Sequence, residues 1–353
     1  MGLTIEQARP LAPLTTLELG GAAEYFVQAH ERDDVREALA WSQQSGHALS
    51  ILGAGSNLVV ADAGVRGLVM RMATCGIEIV RHADHALVTA QAGESFQDLV
   101  QLSLDENLAG LECLNGIPGL VGATPIQNVG AYGQEVSDTI DAVEVLDRQD
   151  GFTRWLSAAQ CGFGYRVSQF KQVPGRQIVL AVRYRLTPNG KARVVYPELA
   201  RALSLQTAQP SLREVAQVVW SLRASKSMVL DRHDENGKSA GSFFTNPIVT
   251  DEEAKRVREL AVQQQIVQKL DDVPCYDAGP GYKKLAAGFL IERAGVVKGL
   301  RRGAVGVSSK HALSLVHHGG GTTAELLALA DEIKTRVVSV FGVQLELEPV
   351  RWG

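Results

Sequence analysis

Residues 116–133 read GIPGLVGATPIQNVGAYG, with five glycines and two prolines in eighteen positions and no charged side chain. Glycine lets the main chain turn through φ > 0 and approach a neighbour without a Cβ in the way, while Pro118 and Pro125 restrict the chain. The polar handles, Thr124, Gln127, Asn128 and Tyr132, are few and uncharged. Two readings of these residues stand side by side. One is a buried, glycine-rich turn region between strands. The other is a loop that meets a large planar heterocycle and its pyrophosphate through main-chain N–H groups, as a flavin dinucleotide would require.

The stretch lies in a chain of 353 residues, 45% hydrophobic, enough for a full core and two or three domains. Upstream, EYFVQA and LSILG read as strands, with an amphipathic helix from Asp33 to Ser45 between them whose Val35, Ala38 and Leu39 share one face. This is a β-α-β unit. LVMRM (68–72), IEIVR and ALVTAQAG continue the strand pattern, and Ser95 caps a helix running to about Asn107. Two more strand-like runs, 142–146 and 178–186, bracket an irregular stretch containing FGYR.

TPNGKARV (187–194) combines Pro, Asn, Gly and charge, and reads as a domain boundary. Beyond it Ser211 with Glu214, Thr250 with Glu253, and Thr322 with Glu325 have capping-box spacing ahead of helical runs. The last helix should stop near Gly342. The tail VQLELEPVRWG reads as a strand that needs a sheet to join, with the first module a candidate.

Net charge is −4 and the pI about 6.1, so there is no basic footprint for nucleic acid. Cys75, Cys113, Cys161 and Cys275 are scattered, without a C-x-x-C pair, and are expected to be buried reduced thiols. No run has signal-peptide or membrane-span length, so the chain is expected to be soluble and cytoplasmic, without membrane insertion; a monomer is expected as well.

The strand LSIL runs directly into GAGSNLVV. Gly53, Ala54, Gly55, Ser56 and Asn57 form a strand-exit loop that is either a plain turn or, with 116–133, a pyrophosphate clamp. A Rossmann fingerprint is excluded, because position 58 is Leu and no clean helix follows.

GAGSN, IPGLVGATPIQNVGAYGQE, FGYRVSQFK (163–171), SAGSFFTNP (239–247), KLAAGFLIERAG (284–295) and LELEPVR (345–351) occur in one order along the chain. Together they resemble the UDP-N-acetylenolpyruvoylglucosamine reductase (MurB) family, type I members included, from about residue 14 to the C-terminus. The resemblance implies an α+β fold. A PCMH-type FAD-binding module of two α/β subdomains (14–190) would precede an α+β substrate-binding domain (200–342), with a tail (343–353) returning to the active site. It implies non-covalent FAD, NADPH as co-substrate, and reduction of UDP-N-acetylglucosamine enolpyruvate to UDP-N-acetylmuramate for peptidoglycan synthesis.

Carried over by position, the resemblance assigns cofactor contacts to Gly53, Ala54, Gly55, Ser56, Asn57, Leu58, Ile117, Pro118, Gly119, Gly122, Ala123, Thr124, Pro125, Gln127, Asn128, Gly130, Ala131, Tyr132 and Gly133. Arg166 matches the group that stabilises negative charge on the enolate, a task for which a forked guanidinium suits a carboxylate. Ser242 matches the proton donor. Glu348 matches the acid that supports Arg166; LELEPVR departs from the usual L-E-x-E-V-R by Pro349, so Glu346 competes for that assignment.

Tyr196, Arg223, Lys226, Asn246 and His311 match substrate contacts. The segment after Lys226 is longer than usual, which puts the lysine's reach in question, and Arg223 suits cofactor or substrate phosphates equally. His317 and His318 lack the companions of a metal site and are expected in a solvent-facing turn. Two other functions compete: another oxidase or oxidoreductase on the same FAD module, acting on an alcohol or hydroxy acid, and a nucleotide-sugar sensor without turnover.

Overall fold

A computed structural model describes residues 3–204 and 209–353. Residues 205–208, inside the expected second domain, lie outside the described residues. The chain divides into two compact units, one of 1–9, 23–55 and 66–230, the other of 10–22, 56–65 and 231–353.

In the first unit the expected strand-helix-strand start is present as Ala22–Ala29, α1 (Arg32–Ser45) and Leu49–Leu52. The two strands are not neighbours. Val65–Met72 lies between them, parallel to Leu49–Leu52, in a four-stranded sheet edged by Glu6–Pro10. A second, antiparallel sheet has the order Thr153–Ser157, Ile140–Asp147, Gln177–Pro188, Ala86–Gln91, Ile77–Arg81. The helix α2 (Phe96–Asp105) is capped by Ser95, whose side chain accepts from the Asp98 N–H. One core, containing Leu68, Met70, Phe96, Leu99, Val143, Val182 and Tyr184, joins both sheets.

The expected boundary at 187–194 is not where the contacts divide; they divide after Leu230. The reason is that the chain folds back on residues 112–116. The Arg193 N–H donates to Glu112 Oε1 (2.8 Å), the Cys113 thiol to the Arg193 carbonyl, and Asn115 Nδ2 to the Ala216 carbonyl (2.9 Å). The short helix α3 (Gln169–Gln172), then α4 (Pro197–Ser204) and α5 (Leu212–Ala224), complete this unit's helices, and Leu199, Leu203, Val215 and Val219 pack around Cys113.

In the second unit, Ser239–Ser242, Ser314–His317, Val305–Val307 and Arg301–Arg302 form one sheet, and Ile248–Thr250, Tyr282–Leu285 and Cys275–Asp277 another. Their apolar faces pack with α6 (Asp251–Gln263), α7 (Ala287–Arg293) and α8 (Thr323–Phe341) around Phe243, Phe244, Leu290, Ile333 and Phe341. All three expected capping boxes form, and α8 ends at Gly342 in the left-handed conformation.

The tail does find a partner in early sequence. Val350–Trp352 pairs in parallel with Leu58–Val60. Those early residues belong to the second unit because Asp62 accepts from the first N–H groups of α8, at Thr323 (2.8 Å) and Ala324 (2.9 Å), where a carboxylate offsets the helix dipole.

Two expectations about side chains are corrected. Cys75 is exposed, since it lies just past the end of Val65–Met72, while Cys113 and Cys161 are buried and burial pushes both thiols up to about 12. His317 is not in a solvent-facing turn. It is a buried strand residue whose Nδ1 meets the Leu17 carbonyl at 3.0 Å and whose Nε2 accepts from the Gly321 N–H at 3.1 Å. Among the described residues no helix is long and apolar enough to cross a membrane.

Candidate active site

The two glycine-rich loops of the first unit face each other. A Cβ added at Gly53 would meet nothing nearer than Leu120 Cδ1 at 3.9 Å and Ala123 Cβ at 4.0 Å. Gly55 has φ +66° and Gly119 φ +138°, conformations that only glycine adopts without strain. This uncharged slot between the two loops suits a flavin dinucleotide, and the left-handed turn at Gly55 suits its pyrophosphate.

Not every glycine of the loop serves that slot. A Cβ at Gly122 would stand 2.5 Å from Ala92 Cβ, at Gly130 2.8 Å from Glu135 Cγ, at Gly133 2.6 Å from Val195 Cγ2 and at Gly116 3.0 Å from Val229 Cγ1. These glycines allow the loop to pack on its own protein. Two of the polar handles are likewise used internally. The buried Thr124 hydroxyl donates to the Val121 carbonyl and meets Tyr184 Oη at 2.8 Å, and Asn128 is wholly buried.

The Asn128 amide donates to Glu135 Oε2 (2.6 Å) and to the Gly164 carbonyl (3.1 Å), and its oxygen accepts from the Ser137 N–H (3.1 Å). It thereby ties the loop to the turn that carries Arg166. That turn is closed by the reciprocal bonds between Gly164 and Val167, and Arg166 at its tip has φ +56°. The Arg166 guanidinium donates to the carbonyls of Asn128 (3.4 Å) and Gly130 (3.1 Å) and lies 5.4 Å from the Tyr165 ring centre.

A second cationic group stands at the end of α5. The residues after the helix turn back through bonds from the N–H groups of Lys226 and Met228 to the Arg223 carbonyl, so this turn, not the long segment that follows, sets the position of Lys226. Lys226 Nζ is gripped by both oxygens of Glu198 (2.8 and 2.7 Å) and lies 5.8 Å over the Tyr132 ring. Tyr132 in turn meets Tyr196 edge-on at 5.5 Å, and burial raises its hydroxyl to about 12.

Arg223 is buried. Its Nη2 donates to the Met228 carbonyl, its Nε has no partner among the described residues, and burial lowers it to about 10, which leaves it charged at neutral pH.

In the second unit, Ser242 ends a strand with an extra residue. Ser239 pairs with Val316 and Ser242 with Ser314, so three steps on one strand oppose two on the other. The bulge falls beside Gly241, at φ +71°, and bulges of this kind re-aim the following side chain. The half-buried Ser242 hydroxyl has no hydrogen-bond partner among the described residues, and neither does the buried Ser314 Oγ in the paired position.

The tail runs antiparallel to the segment after Ser242. Phe244 pairs with Leu347, and the Glu348 N–H donates to the Phe243 carbonyl at 3.1 Å. Glu348 is half-buried and Glu346 exposed. Asn57 Nδ2 donates to the Glu348 carbonyl at 3.4 Å and the Asn57 carbonyl accepts from the Val350 N–H at 3.0 Å, so Ser56, Asn57 and Leu58 belong with the tail while Gly53, Ala54 and Gly55 belong to the first unit.

Asn246 Oδ1 accepts from the Ala287 N–H at the start of α7 (2.9 Å). His311 Nδ1 accepts from the Leu313 N–H (3.1 Å), which places the proton of the neutral ring on Nε2. Glu135 and Glu198 were not singled out from the sequence. Their signals were slight: Glu135 is the first charged residue after the uncharged stretch, and Glu198 follows Tyr196 by two positions.

Two facing uncharged glycine-rich loops, an arginine in a left-handed turn and a strand-end serine next to the segment that pairs with the tail fit a flavin-dependent oxidoreductase. Residues 23–157 match the family described as FAD binding domain. Residues 232–352 match the one described as UDP-N-acetylenolpyruvoylglucosamine reductase, C-terminal domain.

The chain is 46% identical over 347 residues to the UDP-N-acetylenolpyruvoylglucosamine reductase of Thermobifida fusca, covering 98% of this chain and 97% of that protein. It is 42% identical to that of Pseudomonas aeruginosa, covering 99% of each. The solved MurB of Thermus caldophilus superposes with a TM-score of 0.66 at 26% identity, over 99% of this chain and 100% of that one. The chain belongs to the UDP-N-acetylenolpyruvoylglucosamine reductase family, with its PCMH-type FAD-binding module followed by the family's C-terminal domain.

Proposed function

We propose that the chain reduces the enolpyruvyl ether of UDP-N-acetylglucosamine to UDP-N-acetylmuramate in peptidoglycan precursor synthesis, at the expense of NADPH. The observation that carries this reading is the presence of the uncharged Gly53 loop and Arg166 in one unit, and in the other of Ser242 next to Phe243, whose carbonyl takes the tail's Glu348 N–H. The Gly53–Gly55 loop and the 116–133 loop would hold FAD, which would supply the hydride-transfer chemistry between NADPH and the substrate. The protein is accordingly a yellow, non-covalent flavoprotein, and its NADPH consumption depends on the UDP-sugar. Turnover of NADPH without that dependence, or UDP-sugar binding without NADPH oxidation, overturns the assignment.

The protein's own groups act on the substrate. Hydride arrival leaves negative charge on the alpha carbon and its carboxylate, and Arg166 meets that charge with a guanidinium already oriented by two backbone carbonyls. Ser242 gives the alpha carbon its proton. Glu348, rather than Glu346, supports them: its backbone is bonded to Phe243, next to the serine, and it is the less exposed of the two. In the domain assignment that accompanies this reading, residues 14–190 hold the cofactor, 200–342 the substrate, and the tail returns to the active site.

Arg223, with an orphaned buried donor, and Lys226 suit the phosphates of a nucleotide ligand, with Tyr196 closing over them and Asn246 and His311 completing substrate contacts. Tyr196→Phe is expected to keep FAD bound and to weaken UDP-sugar binding by roughly 0.5–1.5 kcal/mol, the net worth of one hydrogen bond. Titration calorimetry with the holoenzyme checks this, and an unchanged affinity reassigns Tyr196 to packing against Tyr132.

The two kinds of loop glycine separate cleanly by substitution. Gly122→Ala drives a methyl into Ala92, so the protein without cofactor loses roughly 1–3 kcal/mol and melts lower. Gly53→Ala has room in the protein alone and leaves that melting temperature unchanged, but its methyl projects into the slot and weakens FAD uptake, followed by flavin fluorescence. Equal behaviour of the two variants in both measurements contradicts the division.

A further inference from the structure

Glu135 closes a chain of contacts that ends on Arg166. Its side chain lies across Gly130, the residue paired with it in the short hairpin Gly130–Ala131/Gln134–Glu135, and so closely that a Cβ at Gly130 would stand 2.8 Å from Glu135 Cγ. Its Oε2 accepts from Asn128 Nδ2 at 2.6 Å. The carboxamide of Asn128 has no spare capacity on that side, since its second donor goes to Gly164 and its oxygen holds the Ser137 N–H. Asn128 itself is held at φ +47°. The carbonyls of Asn128 and Gly130 are the ones that receive the Arg166 guanidinium, and Gly164 closes the turn on which Arg166 sits.

An arginine side chain has many rotamers. Here two backbone carbonyls hold the guanidinium, and their position follows from a buried amide oriented by one carboxylate.

We propose that Glu135 is a positioning residue for Arg166: through Asn128 it fixes the two carbonyls that aim the guanidinium. The inference rests on the reading of Arg166 as the group that stabilises charge on the reacting substrate. Glu135 also caps the short turn Val136–Asp138, its side chain taking the backbone N–H of Asp138, so a test has to separate aiming from capping.

Four variants do so: Glu135→Gln, Glu135→Asp, Arg166→Lys, and Glu135→Gln combined with Arg166→Lys. Gln keeps the shape but replaces a charge-assisted bond with a neutral one. Asp keeps the charge and a good cap but is one methylene too short to reach Asn128. The holoenzymes are followed by stopped-flow absorbance, with reduction by NADPH and reoxidation by UDP-N-acetylglucosamine enolpyruvate measured separately, and melting temperatures recorded alongside.

Loss of aim by a fraction of an ångström costs on the order of ten- to a hundredfold. Both single Glu135 variants are therefore expected to slow reoxidation at saturating substrate by about that factor, with reduction by NADPH unchanged. In the Arg166→Lys background, where no fork remains to be aimed, Glu135→Gln is expected to add less than about twofold. The proposal is overturned if Glu135→Asp reoxidises at the wild-type rate while Glu135→Gln is slow, if both halves slow alike, or if the Glu135→Gln defect persists undiminished in the Arg166→Lys background. Should Arg166→Lys alone reoxidise normally, the underlying reading of Arg166 falls, and the positioning role with it.

Discussion

Replacing Ser242 by alanine is expected to leave reduction of the enzyme by NADPH nearly intact while slowing its reoxidation by UDP-N-acetylglucosamine enolpyruvate roughly a hundredfold to ten-thousandfold, the usual worth of a positioned acid. The asymmetry follows from the proposed chemistry. Hydride transfer from NADPH needs no proton at the substrate's alpha carbon, whereas completion of the second half does.

A serine is a weak acid, so its use depends on placement. Gly241 beside the strand bulge re-aims residue 242, and the hydroxyl has no hydrogen-bond partner among the described residues. Because no fold-stabilising bond is lost, the melting temperature of the variant should match that of the parent. Stopped-flow absorbance reports both halves in one instrument. If Ser242→Ala slows both halves equally, or neither, the serine is a strand-end residue and the proton comes from elsewhere.

Arg166→Lys is the second large effect. Lysine keeps the charge, but its single ammonium cannot span the carbonyls of Asn128 and Gly130 and present a fork to a carboxylate at the same time. Charge-assisted hydrogen bonds are worth roughly 1.5–3 kcal/mol, which corresponds to about ten- to a hundredfold in rate. The loss should fall on reoxidation alone. Arg166 also sits at φ +56°, a strained conformation for either residue, so the backbone contributes equally in both proteins and the difference reports the side chain. A variant with wild-type reoxidation would overturn the reading of Arg166 as the group whose fork stabilises the developing enolate.

Much of the fold was legible because its signals are local. The helix caps at Ser95, Ser211, Thr250 and Thr322 depend on residues three positions apart, and all of them form. The alternation that marked strands at 142–146 and 178–186 found the cores of Ile140–Asp147 and Gln177–Pro188 but not their ends, which are set by the neighbouring strand. The turn read at 187–194 is not where the contacts divide, for a related reason. Pro, Asn and Gly do mark a turn there, but whether a turn separates domains depends on what the next helices pack against, and α5 packs on residues 112–116.

The site was legible in unequal parts. Arg166 and Ser242 stand in the ordered blocks of family resemblance, and the roles proposed for them start from that position. The division of labour among the loop glycines could not be read that way. Gly53 and Gly122 look alike in sequence, yet a Cβ at the first makes only ordinary contacts and at the second collides with Ala92. Asn128 and Thr124 look like ligand handles, yet both spend their side chains on the protein.

Sequence by itself determined the kind of backbone this protein would have: an uncharged loop rich in left-handed turns, strands in alternation, capped helices, and an acid-bearing tail. Those are properties of short windows, where side-chain sterics and hydrogen bonds between near neighbours decide the conformation. Only the tertiary structure decided that Val350–Trp352 joins Leu58–Val60, that His317 is buried against Leu17, and that Glu135 reaches Arg166 through Asn128. Each of these joins residues that local sequence does not bring together, and which donor meets which acceptor there depends on how the whole core closes around them.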